Sequence, residues 1–325
     1  MAGPYQRKEI VWASTVAAHV KCEREGYLRN AYGRLEYTVG QLNSTLPHTV
    51  FENLIEYLID ETKKENSILN TKIGIHNRTI ESIDSTIDSS KKDIDEATMR
   101  ESKGGFITAD HYFNREEVKQ NIIFNVKRAI GKLDALISTW KKYDVVLLRE
   151  EKLTKNDKSM EFQSDSNLGI GARNDFVIFY KHKNTHIFNA TIIEVKPAIR
   201  YKVDVKGKEV YSPEIMQGTI GQLVIKKHID SLAKMAGIDG GYQIDDSMFF
   251  FEYRKGEMPI VEVDADMRSQ ALRRASMLRG YSTETGRHPT REDWHDEERC
   301  PGCWFNKLCK KEDELEKKLL KDKQA

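Results

Sequence analysis

"FNATIIEVK", residues Phe188 to Lys196, decides how this chain folds. It is an apolar, partly β-branched run of the kind that forms a buried strand, yet it finishes on an acid and a base two places apart. Side chains alternate along a strand, so Glu194 and Lys196 share a face, with Cα atoms roughly 7 Å apart. The plain explanation is a strand turning polar as it leaves the core. With 51 acidic and 52 basic residues, an acid-x-Lys triplet arises by chance several times. "DVK" at Asp204 to Lys206 is one rival, but no apolar strand precedes it and it leads into an exposed turn.

Outward from this run, "DVVLLREE", "SMEFQ" and "NDFVIFY" read as strands on its N-terminal side. On its C-terminal side "SPEIMQGTIGQLVIKKHIDSLAKMAG" reads as a helix, "SMFFFEYR" and "MPIVEVD" as strands, and "MRSQALRRASMLRGY" as a helix. The N-terminal part is helical. Val11, Val16 and Val20 lie on an apolar spacing that ends near Cys22, and "TLPHTVFENLIEYLIDETKKEN" predicts a buried helix with Pro47 in its first turn. Its stripe of Val50, Phe51, Leu54, Leu58 and Ile59 begins beside His48. Residues 60–142 are charged and rich in Ser, Thr and Asn, with isolated isoleucines, and predict long, mostly solvated helices broken at "SKGGF". The order is helices, strands, helix, strand and helix, a mixed α/β plan. Four stretches follow: 1–59, a helical insertion at 60–142, a core at 143–290, and a C-terminal segment at 291–325.

A two-residue turn at Lys183 and Asn184 would pair "FVIFY" with "HIFNATIIEVK" so that Asp175 lies opposite Ile192. Asp175 then shares the face of Glu194 and Lys196 and sits diagonally from Glu194. A three-residue turn would move it to the other face. Two such carboxylates repel unless a divalent cation lies between them, and hard oxygen ligands suit Mg2+ or Mn2+. A pair of surface salt bridges is the competing explanation.

Cys22 stands alone, and Cys300, Cys303 and Cys309 form a C-x2-C-x5-C cluster in "CPGCWFNKLC". Four thiolates complete either a zinc or an iron–sulfur site. Such a centre would tie the first helix to the C-terminal segment. Disulfides are the weaker reading for an intracellular chain. The N-terminus, "MAGPYQRKEIVWAST", meets charge too early for a secretion signal, which predicts an intracellular protein. No apolar run approaches the roughly 18 residues of a membrane span. Net charge is only +1, so a polyanionic partner would be held by local patches.

Together these residues resemble the iron–sulfur, RecB-like branch of the PD-(D/E)XK nucleases, which includes the CRISPR-associated adaptation exonucleases. "STVAAHVKCEREGYL" and "CPGCWFNKLC" look like the two ends of that family, and the cysteine frame is the most specific match. The resemblance covers the two ends and about 140–310. It implies a restriction-endonuclease-like core, with a 4Fe–4S cluster on Cys22, Cys300, Cys303 and Cys309. It also implies Mn2+ or Mg2+ held by His48, Asp175, Glu194 and the Val195 carbonyl. Catalysis would rest on Asp175, Glu194 and Lys196. Gln222 and Lys226 would touch substrate, although the family's Gln-x-x-x-Tyr ends here in Lys226, and Gln217 competes with Gln222. Tyr27, Trp304 and Phe305 are either base-stacking residues or packing around the cluster, and Lys227 and His228 either meet phosphate or line a solvated face. The implied activity is metal-dependent hydrolysis of DNA, single-stranded or with free ends, alongside CRISPR adaptation or repair proteins and away from any membrane. A decayed, nucleic-acid-binding subunit and a zinc-stabilised interaction protein remain as other readings.

Overall fold

Residues 188–196 form an inner strand of a mixed sheet in a computed structural model that describes residues 10–32, 39–62, 71–103, 114–149, 164–281, 289–297, 300, 303 and 305–324. In chain order, β1 (Val11–Trp12), α1 (Ala13–Lys21), α2 (Glu23–Tyr32) and α3 (Val39–Thr62) lead into α4 (Thr71–Ser89), α5 (Lys91–Lys103) and α6 (Arg115–Trp140). The strands β2 (Tyr143–Arg149), β3 (Ser164–Asp165), β4 (Ile170–Gly171), β5 (Phe176–His182) and β6 (Phe188–Lys196) follow, then β7 (Lys202–Val205) and β8 (Lys208–Tyr211). Next come α7 (Pro213–Met235), β9 (Tyr242–Ile244), β10 (Ser247–Glu252) and β11 (Ile260–Glu262). The helices α8 (Ala265–Gly280), α9 (Arg291–Trp294) and α10 (Asn306–Gln324) end the chain order. The expected strand "SMEFQ", Trp304 and the glycines of "SKGGF" lie outside the described residues.

The central sheet has the order β11-β10-β6-β5-β2, with β9 beside the start of β6. Strands β9 and β10 run parallel to β6, and the remaining neighbours are antiparallel. Helices cover both faces. Ala190 and Ile192 pack with Val16 and Val20 of α1, Ile220 and Val224 of α7 and Met267 of α8. Ile193 and Val195 point the other way, among Val50, Phe51 and Leu54 of α3, Ile83 of α4 and Ile122 of α6. Burial on both faces explains why β6 reads as a continuous apolar run. Among the described residues no helix is long and apolar enough to cross a membrane.

Three differences from the sequence reading have local causes. Helix α3 begins at Val39 and runs through Pro47, because Leu42 and Leu46 are already buried on its inner side. The helices of 60–142 are less solvated than their composition suggests. Ile75, Ile83, Ile87, Val118, Ile122 and Val126 are all buried in the layer over one face of the sheet. Finally, the β5–β6 register differs by two residues, since Phe176 pairs with Ile193 and Val177 with Ile192. The connection spans residues 183–187 instead of two residues. The His182 carbonyl accepts from the Thr185 N–H at 2.8 Å, and the Phe188 N–H goes to the Gly241 carbonyl at 2.9 Å, which takes that end of β6 away from β5. A shift of two keeps every side chain on its face, and continuing the register by one place sets Asp175 directly opposite Glu194.

Helix α7 lies unusually close to the sheet. A Cβ at Gly221 would come within 2.1 Å of Asn174 Oδ1, and one at Gly218 within 2.6 Å of Met248 Sδ. Ser212 caps this helix by accepting from the Ile215 N–H at 3.2 Å, ahead of Pro213 in the first turn. The close approach carries Gln217 onto the end of β6.

Candidate active site

The open end of the β5–β6 pair gathers side chains from α3, β6 and α7 and from the residue that heads β5. Asp175 immediately precedes β5, and its Oδ2 accepts from the Val195 N–H at 2.7 Å. Helical spacing puts His48 and Glu52 on one face of α3. His48 Nε2 lies 2.9 Å from Glu52 Oε1 and 3.2 Å from Asp175 Oδ1. On β6, Lys196 Nζ donates to Glu194 Oε2 at 2.7 Å and lies 3.9 Å from Asp175 Oδ2. Gln217 of α7 donates to the same Glu194 Oε2 at 3.2 Å. Glu194 is 1% exposed, and its other oxygen, Oε1, has no hydrogen-bond partner among the described residues.

Burial and charge push these groups in different directions. Burial alone would raise the Asp175 carboxyl, but the charges of His48 and Lys196, with the His48 and Val195 hydrogen bonds, hold it below the usual carboxylate range. Burial also raises Glu194; there Lys196 and His48 offset it only in part, and the Asp175 charge adds to it. Lys196 is raised, because Glu194 and Asp175 together outweigh its desolvation. Burial disfavours a charged His48, yet Asp175 and the Glu52 hydrogen bond lift its pKa to about 10. The pattern is a firmly ionised carboxylate beside one whose pKa is raised, with Lys196 between them and His48 against Asp175.

The sign of the His48 effect gives a test. A folded pKa raised from 6.5 to about 10 contributes stability that is fully present below pH 6.5 and is lost as pH rises through 10. Urea unfolding with chelator present should show parent and His48→Gln far apart at pH 6 and converging toward pH 10. A gap that widens with pH would contradict the ion pair.

The donor types suit a divalent ion: the His48 imidazole and the carboxylates of Asp175, Glu52 and Glu194, the last with a buried oxygen that has no hydrogen-bond partner among the described residues. Among the described residues, the one group of three ligating side chains whose donor atoms all lie within 4.8 Å of one another is His48, Glu52 and Asp175.

The cysteines come from the two ends of the chain. Cys22 breaks the helical run between α1 and α2 with extended φ of −155°, and its Sγ accepts from the Glu25 N–H at 3.4 Å. Cys300 Sγ accepts from the Asp296 N–H at 3.3 Å, and Arg24 hydrogen-bonds Cys309. Burial raises Cys22 to about 12 and Cys303 to about 11, with smaller rises from Glu25 and Cys303 at Cys22 and from Glu25, Cys300 and Cys309 at Cys303. Burial raises Cys309 too, and Arg24 opposes that rise. Cys303 and Cys309 pack against buried Tyr27, Leu28 and Phe305, which places Tyr27 and Phe305, two of the three aromatic candidates, in the packing around the thiols.

Several expected residues are not brought to the carboxylates. Gln222 is buried and donates to the Asp245 carbonyl at 2.7 Å, so it holds the turn before β10. Gln217 stands at Glu194 in its place. Lys226 and Lys227 are exposed, and Lys226 lies roughly 13 Å farther along α7 than Gln217. Asp204 is exposed in the β7–β8 hairpin, whose turn puts Lys206 at φ 54° and Gly207 at φ 74°. Sequence reasoning missed Glu52 and Arg149. Glu52 carried a usable signal, four residues after His48, whereas Arg149 at the end of β2 had none. The chain matches no protein-family model and no curated protein.

Proposed function

We propose that this protein is a divalent-metal-dependent deoxyribonuclease of the iron–sulfur, RecB-like PD-(D/E)XK type, acting on single strands or free ends. One observation carries the reading: His48, Asp175, Glu194 and Lys196 converge at the end of two neighbouring strands, with Glu194 Oε1 buried and unbonded. An Asp heading one strand and Glu-x-Lys closing the next, in a mixed sheet flanked by helices, accords with the core that the resemblance implies.

In this reading His48, Asp175, Glu194 and the Val195 carbonyl hold Mn2+ or Mg2+. The ion would supply a water of lowered pKa and offset charge on the scissile phosphate. Lys196, kept charged by Glu194 and Asp175, would orient the attacking water or donate to a phosphate oxygen. Gln217 fixes Glu194 from the helix side. The substrate and any CRISPR adaptation or repair partner belong to the same proposal.

The cysteines would carry a structural 4Fe–4S cluster joining the chain ends. A zinc ion would use the same four thiolates, and among the described residues no three of them lie within 4.8 Å of one another. The N–H···S bonds at Cys22 and Cys300 and Arg24 at Cys309 are donors of the kind that stabilise ligating thiolates. Protein purified without oxygen should be brown with about four iron per chain, and Cys303→Ser should lose the colour. Stoichiometric zinc in colourless, folded protein would remove the cluster.

The activity test is hydrolysis of end-labelled single- and double-stranded DNA with Mn2+, Mg2+ or chelator. The proposal expects cleavage that chelator abolishes. Tight DNA binding without cleavage in any metal would favour a nucleic-acid-binding subunit.

A further inference from the structure

The strongest unassigned feature is a charged chain that runs inward from β2. Arg149 is 7% exposed. It donates to Glu52 Oε2 at 2.9 Å, to Glu56 Oε2 at 3.4 Å, and to Asn53 Oδ1. A guanidinium buried this deeply needs carboxylate partners, and Glu52 meets it with only one of its two oxygens. The other, Oε1, faces His48 Nε2 at 2.9 Å, beside Asp175 Oδ1.

We propose that Glu52 is a further ligand of the divalent ion and that Arg149 is its positioning residue. The inference rests on the metal-nuclease reading and deepens it. An octahedral ion with bonds of about 2.1 Å sets adjacent donors about 3.0 Å apart. The Nε2–Oε1 and Nε2–Oδ1 separations of 2.9 and 3.2 Å already match that spacing. These are also hydrogen-bond lengths, so a proton on Nε2 bridges the same atoms that an ion would join. Glu194 Oε1 is buried and unbonded on β6 but stands outside the donors that lie within 4.8 Å of one another, so it would reach the ion by a side-chain movement. Arg149 fixes Glu52 as a hydrogen-bonded partner fixes a ligating carboxylate, aiming one oxygen by holding the other. In this assignment the ion takes the place of the His48 proton: Asp175, Glu194, Glu52 and Glu56 then face only Lys196 and Arg149, which leaves negative charge for a cation to meet.

The test is Mn2+ affinity, measured by calorimetry and by the EPR signal of free Mn2+, on the full chain with its cysteine centre intact. Glu52→Gln keeps the shape and removes the charge, and should weaken Mn2+ binding about 100-fold. Arg149→Met should weaken it about 10- to 100-fold, as loss of an outer partner does, and Arg149→Lys should recover part of the loss. Asp60→Asn removes one charge from an exposed position on the same helix and should leave affinity unchanged. Parent-like affinity in Glu52→Gln overturns the assignment while the nuclease reading stands. Equal weakening by Asp60→Asn also overturns it, because the effect would then be general charge. A parent that binds no Mn2+ overturns the reading beneath it. Should Arg149→Met fail to fold, Glu52→Gln and Arg149→Lys still decide the matter.

Discussion

Glu194→Gln should abolish metal-dependent DNA cleavage and weaken Mn2+ binding by more than about 10²-fold, while the fold and cysteine centre survive. Loss of a direct charged ligand should exceed the 10- to 100-fold typical of changes one shell out. The fold should tolerate the change because burial and the Asp175 charge both push the Glu194 carboxyl upward, so a neutral side chain of the same shape suits that position. Lys196→Ala should separate from it. Removing one stabiliser of developing charge costs about 10²- to 10³-fold in rate, and Mn2+ affinity should remain. Asp204→Asn, in the exposed hairpin, should stay near parental activity. Rates and Mn2+ isotherms for the three variants beside the parent check this. An active parent with an unimpaired Glu194→Gln would reject the site.

Replacing residues 71–103 by a Gly/Ser linker should abolish stable folding. That segment buries Ile75, Ile83 and Ile87 against the layer formed with α3 and α6. Each such side chain contributes about 1.5–3 kcal/mol, and its removal also uncovers apolar surface beneath. The total reaches the range of a domain's whole stability of about 5–15 kcal/mol. Thermal unfolding and size-exclusion chromatography should show aggregation or loss of the cooperative transition. A soluble variant with a parent-like midpoint would mean that these helices form a separable unit.

The same segment shows why part of the fold was hard to read. Thr79, Ser82 and Thr86 are buried between helices, although they look like a solvated face in the sequence. Thr79 donates its hydroxyl to the Ile75 carbonyl one turn back at 2.6 Å, and Asn53 reaches Ser82. Hydroxyls satisfied locally can line a helix contact without an apolar signature. The sheet was more legible, since an inner strand must be apolar on both faces, and β6 is. The convergence of Asp175 and Glu194 was legible because strand periodicity tolerates a two-residue error in register. The choice between glutamines was not. Gln217 and Gln222 sit on one helix, turned about 140° from each other, and only the placement of α7 decides which meets Glu194. Arg149 is beyond sequence reasoning for a similar reason, as its partners lie on a helix about 95 residues earlier in the chain.

The central claim is that these side chains hold a divalent cation. Anomalous diffraction at the manganese edge, from crystals of the full chain grown with Mn2+, tests it most directly. The account predicts a peak at about 2.0–2.4 Å from His48 Nε2, an Asp175 oxygen and Glu194 Oε1. A well-ordered site with no peak, or manganese bound only elsewhere, would contradict it.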